Sequence, residues 1–253
     1  MKKISFTFLL VILSIINVHA QKTQSFYADL TFATHSIWHG WDINSNKPVL
    51  HPYLEYSIGK TGLSIAAWAS LPVDRGLKDN DDIEFLLKYK KSLFNEKRYK
   101  VALNSFIDYI VCPNAYLPKA NGEDHTKMLW KYNLGFSLPS LIKVGEQAIV
   151  PGYNLYYIFP FGDIDFKDGS VHEFSGYYTI PVLSKIKIGG AVNYHTGVFG
   201  AGSGWTHATS SISTSVKVGA FNIHGAINKQ WSFDKRPDIE DEFWATIGIN
   251  TKF

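Results

Sequence analysis

Histidines, hydroxyls and charged side chains recur in this 253-residue sequence at spacings that could carry three kinds of chemistry. His207, Thr209 and Ser211 alternate, so an extended chain puts them on one face, and His195 falls one segment upstream. A hydroxyl beside an imidazole with an orienting partner is the apparatus of nucleophilic hydrolysis. The same face is Ser- and Thr-rich throughout, as a wetted wall is, so the reading assigns no catalytic residue and no enzyme. His35, His39 and His51 form a second group, and three imidazoles can hold zinc. No carboxylate at matching spacing completes that set, and Trp38 and Trp41 are interleaved with it. Packing of an aromatic-rich loop is preferred, and neither a metal nor a cofactor is expected. The third group is a ladder of charges on alternating segments: Glu55, Glu84, Lys88, Lys90, Lys100, Asp108, Lys131, Glu173, Lys185, Lys187 and Lys217, with His207 among them. Charges ringing a lumen set the selectivity of a pore.

Such a ladder needs strands to hold it. Over 242–253, Phe243, Ala245, Ile247, Ile249, Thr251 and Phe253 alternate with Glu242, Trp244, Thr246, Gly248, Asn250 and Lys252, a period of two without a break. The same alternation runs through 25–37, 48–58, 63–71, 82–93, 99–111, 128–138, 148–160, 170–182, 186–194, 205–218 and 221–231. Pro151 interrupts the seventh segment and predicts a bulge or a later start there. About twelve strands result, an even number, as bacterial single-chain membrane barrels prefer. The expected fold is all-β: a transmembrane antiparallel up-and-down barrel. Its tight turns, such as 59–62 and 95–98, fall on one side and longer polar loops on the other. The outward register places Trp38, Trp130, Trp205, Trp231 and Phe243 in an outer aromatic girdle. It places Phe26, Tyr99, Phe136, Phe221 and Phe253 in an inner one.

Bulk composition agrees. Lys2 and Lys3 precede an apolar run that closes at His19-Ala20, the pattern of a secretory signal peptide over 1–20, leaving 21–253 as the barrel domain. Removing that leader leaves 23 basic against 22 acidic side chains, a net charge of about +1 that gives no footing for nucleic acid. Cys112 is the single cysteine, so there is no internal disulfide. A mean hydropathy of −0.07 is what a barrel shows, because outward and inward residues average out. Aromatic residues make up 15% of the chain, which suits interfacial girdles. A soluble sandwich or lipocalin-like barrel would use the same alternation with its apolar side inward. The mixed charged and Ser/Gly/Ala inventory of the polar face and the interfacial Trp favour the membrane.

Ser36 with His39-Gly40, then Pro48-Val49-Leu50, then Thr61-Gly62 with Trp68-Ala69-Ser70 resemble the TorF-type porin family. That resemblance covers about the first third of the mature chain and implies an outer-membrane barrel with a pore. Arg commonly precedes the glycine in that family, where this chain has His39. A terminal Phe on the lipid-facing register, here Phe253, also resembles the closing strand of outer-membrane barrels. It implies periplasmic chaperones and the barrel-assembly machinery as partners.

The expected function is a porin-like channel for passive diffusion of small hydrophilic solutes, seated in outer-membrane lipid. Strand direction puts Lys88, Lys90, Lys100, Lys185, Lys187 and Lys217 towards the periplasmic half. Glu84, Asp108 and Glu173 lie nearer the outer mouth, so weak charge selectivity and small conductance are predicted. A structural or adhesive barrel with partner-binding loops is the alternative, and a barrel-borne lipid hydrolase a lesser one.

Overall fold

The computed structural model describes residues 25–73, 82–112, 127–161, 167–180, 186–198, 202–233 and 239–253. The leader 1–20, Lys185 and the polar loop 113–125 lie outside them. The strands are β1 (Ser25–Ala33), β2 (Ile37–Trp38), β3 (Trp41–Asp42), β4 (Val49–Ser57), β5 (Leu63–Pro72), β6 (Asp82–Leu93), β7 (Val101–Cys112) and β8 (Lys127–Ser137). They continue with β9 (Ile142–Val144), β10 (Gln147–Phe161), β11 (Gly169–Thr179), β12 (Ile186–Thr196), β13 (Gly204–Val218), β14 (Phe221–Ser232) and β15 (Phe243–Lys252). Twelve of these close an antiparallel barrel in the order β1-β4-β5-β6-β7-β8-β10-β11-β12-β13-β14-β15, with β15 returning to β1. β2 and β3 form a separate miniature hairpin, and β9 lies against the start of β10.

Backbone bonds close the barrel: Phe253 N–H donates to Phe26 O at 2.8 Å, and Phe26 N–H to Phe253 O at 3.2 Å. Tyr27 then faces Lys252, Asp29 faces Asn250 and Thr31 faces Gly248. A side-chain clasp crosses this seam. His224 on β14 reaches over Gly248 on β15 and donates to Asp29 on β1 at 2.7 Å, where Thr31 also donates at 2.7 Å. A Cβ on Gly248 would stand 2.5 Å from both the His224 ring and Thr31 Oγ1. Gly248→Ala is therefore expected to break this charge-assisted bond and cost about 1–3 kcal/mol in detergent unfolding. Gly176→Ala, where a Cβ meets nothing, is the control.

The outward face is apolar on every wall. Phe85, Leu134, Ile212, Ile227 and Ile247 are each more than half exposed. Each such side chain left in water instead of an apolar medium costs about 1.5–3 kcal/mol, so a band of them requires lipid. The inward face carries Asp29, Glu55, Glu84, Lys88, Asp108, Lys131, Asn133, Asn193 and Gln230. That polarity is the reverse of a lipocalin-like barrel. The protein is an outer-membrane β-barrel, with its short-turn rim on the periplasmic side.

Three expectations need correction. β1 stops at Ala33, not at residue 37, because Thr34 makes the last seam bond, to Ala245 O at 3.0 Å, and the chain then turns away. β10 runs unbroken through Pro151: the proline lies where β10 changes partner from β9 to β8, so the missing N–H falls in a gap between ladders. Lys100 belongs to the turn before β7, its N–H bonded to Lys97 O, and so has no place on a lumen-facing strand.

Candidate functional site

What the barrel encloses is decided by the connection 34–48. Its tip, His39-Gly40, joins β2 to β3 with φ of +48° and +99°. Positive φ at both central residues is the two-residue turn that matches strand twist, and His is among the few side chains that tolerate the first position. Behind the tip, Asp42 accepts the backbone N–H of Asn44 at 2.9 Å and of Asn46 at 2.5 Å, fixing the return towards β4.

This small hairpin is folded into the lumen. Trp38 lies against Lys131, whose Nζ stands 5.7 Å from the ring centroid. The ring of His39 meets Tyr156 on β10 at 4.6 Å, and Trp41 meets His195 on β12 at 5.1 Å. Gln230 on β14 donates from Nε2 to Gly40 O at 2.8 Å and to Glu240 O at 2.9 Å. Gly40 sits so close to His207 that a Cβ there would stand 2.7 Å from the imidazole. At the root of the loop, His35 Nε2 pairs with Glu242 Oε2 at 3.3 Å. An apolar cluster of Ile158, Val171 and Val198, joined by Trp38, Trp41 and Tyr156, completes the seat.

The lumen is packed at this level apart from a cavity of about 280 Å³ beside Trp38, lined by Asp82, Glu84, Ile110 and Leu129. Every barrel strand contributes an inward residue less than a tenth exposed: Ala33, Val49, Ser70, Glu84, Asp108, Lys131, Ile158, Val171, His195, His207 and Gln230, with Glu242 at the threshold of β15. Below this belt a polar cavity of about 600 Å³ is lined by Tyr27, Asp29, His51, Tyr53, Glu55, Trp68 and Lys88 and reaches Ser25, Ser57 and Lys252 at the periplasmic rim. The lumen is thus an open inner vestibule beneath a packed outer half.

Charges are distributed accordingly. In the packed half Lys131 Nζ contacts Asp108 at 2.8 Å and Glu84 at 3.5 Å, so one amine and two carboxyl groups share one buried site. Asn154 holds Glu173 at 2.9 Å. In the vestibule Glu55 accepts from Lys88 at 2.5 Å, from Ser64 at 2.9 Å and from Tyr53, with Lys90 3.7 Å away. The intervening strand presents only Ser64 and Ala66, small enough for Glu55 on β4 and Lys88 on β6 to meet across it. Lys187 lies over the Tyr177 ring, and Lys217 is exposed near the periplasmic end of β13. Outside the strands, burial holds the His39 imidazole well below its ordinary range, and Lys131, His195 and His207 push the same way.

Trp38 is not part of an outer girdle. It stands inside the lumen, because β1 ends before the alternation that would have carried it to lipid. Trp205, Trp231 and Phe243 are exposed on the outward face, Trp130 packs at a tilt against Tyr109, and Phe253 is half exposed at the seam. His35, His39 and His51 are dispersed, His51 packing on Trp68 at 4.9 Å. Among the described residues no three His, Cys, Asp or Glu side chains gather to hold a metal. His207 bonds to Thr206 at 3.0 Å, since a register shift after Asn193 turns both residues inward. The role of Gly40, Trp41 and Gln230 as loop seat escaped the sequence reading. Its one signal was the His39-Gly40 pair, a dipeptide suited to positive φ.

No protein-family model, TorF-type or other, matches the sequence, and no curated protein matches it. Among solved structures the chain is similar to the KdgM porin, with a TM-score of 0.54 at 10% identity over 90% of this chain and 99% of that one. It is similar also to an outer-membrane channel from Pseudomonas putida F1, with a TM-score of 0.54 at 9% identity over 94% and 98%. The NanC porin follows with a TM-score of 0.52 at 12% identity over 89% and 100%. At such identities the likeness is one of fold, and the fold is that of a porin-like outer-membrane barrel.

Proposed function

We propose that the protein is a porin-like channel for small hydrophilic solutes whose resting conductance is set by loop 34–48. The observation that supports this is the division of a polar lumen into a vestibule of about 600 Å³ and a half filled by wall side chains together with one connection. A wall needed only for structure could be filled by its own side chains, as small barrels are. Here much of the filling comes from a loop hung by hydrogen bonds and ring contacts on the walls. The charges of the vestibule are paired across the strands, which supports weak rather than strong ion selectivity.

Purified protein in planar bilayers is expected to give small conductance. A variant with residues 36–46 replaced by a short Gly-Ser link should conduct several-fold more. Silence from both would end the channel reading. The packed belt supports one other reading, a closed structural barrel, and that outcome would favour it.

A further inference from the structure

We infer that the periplasmic rim carries a site for an anionic phospholipid of the inner leaflet, its phosphate met by turn 94–100 and strand β9 and its acyl chains laid in an apolar groove above them. The site lies on the lipid-facing wall and is independent of what the lumen conducts.

Turn 94–100 joins β6 to β7, and the flap 138–146 joins β8 to β10. β8 ends at Ser137, so the first residues of β10 continue past it and take β9 as their partner, Ile149 facing Ile142 and Gln147 facing Val144. Arg98 Nε donates to Leu141 O at 3.4 Å and ties the flap to the turn. Within the turn, Lys97 N–H donates to Phe94 O and Lys100 N–H to Lys97 O, both at 3.0 Å, and the Phe94 and Tyr99 rings meet edge-on at 5.6 Å. The two connections form one ledge.

That ledge is basic and apolar at once. Lys91, Lys97, Arg98, Lys100 and Lys143 set five cations against the two carboxylates of Glu96 and Glu146. Among the described residues none of the five forms an ion pair. Of the sequence at this rim that lies outside them, 1–24 and 181–185, no residue is acidic. Phe94, Tyr99, Ile142 and Val144 are each more than two-fifths exposed beside these cations. Aromatic rings next to Lys and Arg suit the depth of the headgroups, where the anion on offer is a phosphate. Lys and Arg bind phosphate through charge-assisted hydrogen bonds. A soluble anion would need no apolar frame around the cations, whereas a lipid phosphate is held where the acyl region begins.

The acyl seat is an open apolar groove of about 600 Å³ on the outward face of β4 to β8. It arises because Ala67 on β5 stands between Leu54 on β4 and Phe85 on β6, so one outward side chain in the row is a single methyl. Ile65 and Trp130 help to wall it. Phe85 and Leu87 of the groove share the outward row of β6 with Lys91, which lies two pleats nearer the periplasm. Four residues of strand cover about 13 Å. One leaflet of hydrocarbon is roughly 15 Å deep, so a single lipid can touch both features.

Native mass spectrometry of the full chain in neutral detergent tests this, with phosphatidylglycerol and phosphatidylcholine of identical chains and glycerol phosphate as probes. The natural chain should bind phosphatidylglycerol roughly tenfold or more tightly than phosphatidylcholine, and glycerol phosphate not measurably. Lys91→Gln, Lys97→Gln and Lys143→Gln together should cut that preference to about threefold or less. Lys187→Gln, Lys217→Gln and Lys252→Gln, on the lumenal side of the same rim, remove the same charge and should leave it intact. Arg98 is kept because its bond to Leu141 O builds the ledge. Ala67→Leu, which fills the groove, should weaken both lipids by roughly threefold or more. Equal affinity of the natural chain for the two lipids overturns the site, as does a preference that survives the ledge triple or falls equally in both triples. Unchanged lipid binding by Ala67→Leu, or glycerol phosphate bound as tightly as the lipid, overturns the phospholipid as occupant. So does retention on isolated peptidoglycan that needs the three ledge lysines and comes without a lipid preference. Heat-modifiable gel migration confirms that each variant is folded.

Discussion

Lys131→Met should lower the stability of the barrel by about 3–5 kcal/mol, the cost of stripping a buried ion cluster of its counter-charge. Lys131 is wedged between Asp108, which is fully buried, and Glu84, which is nearly so. Met fills much of the same volume but leaves two carboxyl groups facing each other in a buried site. Trp38 loses the cation at its ring face in the same step. For a chain of this size the loss corresponds to a fall in Tm of roughly 10 °C or more, measured by thermal unfolding in detergent. Replacing the whole cluster, with Glu84→Gln and Asp108→Asn added to Lys131→Met, should recover much of it, since uncharged groups of similar shape need no counter-ion. A single variant as stable as the natural chain would mean that the two carboxylates are already neutral.

Gly40→Val is expected to unseat the loop at neutral pH and raise conductance towards that of the loop-replaced variant. A φ of +99° at a β-branched residue costs about 1–3 kcal/mol. The new side chain would begin 2.7 Å from the His207 ring, which Thr206 and the packed belt hold in place. Relief requires the tip to withdraw, which gives up the Gln230–Gly40 O bond and so opposes opening by about 1–3 kcal/mol. Shifting a closed state from 99:1 to 1:99 takes about 5.5 kcal/mol, so a full opening requires the clash and the backbone strain together to exceed that figure plus the lost bond. Gly59→Ala is the control, a positive-φ position in a periplasmic turn where a Cβ meets nothing. Conductance of Gly40→Val at the level of the natural chain would show that the loop accommodates the clash without leaving its seat.

Alternation alone revealed the walls. Phe243 to Phe253 read as outward, and Trp244 to Lys252 as inward, and the structure pairs them so at the seam. Side-chain parity is dictated by the pleat, so it survives whatever surrounds the strand. Parity also assigned Glu55, Lys88 and Asp108 to the inward face, because each sits one residue from an apolar neighbour that needs lipid.

The direction of a loop has no such periodicity. Trp38 continues the even-numbered register of Phe26, Leu30 and Phe32, and nothing in its own residue type says that pairing ends at Ala33. What draws it inward is tertiary: Lys131, Tyr156 and His195 come from strands more than ninety residues further along the chain. Lys100 shows the same limit at a turn, where one residue decides whether a side chain lines a wall or a rim. Pro151 misled for a local reason, since whether a missing N–H matters depends on which neighbour the strand has at that point.

The clasp between His224 and Asp29 has a kinetic consequence. All other wall pairings join strands that follow one another in the chain, so they can zip as hairpins at little entropic cost. The clasp across the β15–β1 seam instead joins groups 195 positions apart, and the loop entropy of most of the polypeptide must be surrendered before the first seam bond forms. Ring closure is therefore the late, high-contact-order event of assembly. Gly248, by letting a side chain from β14 reach β1 directly, gives that event a three-strand foothold.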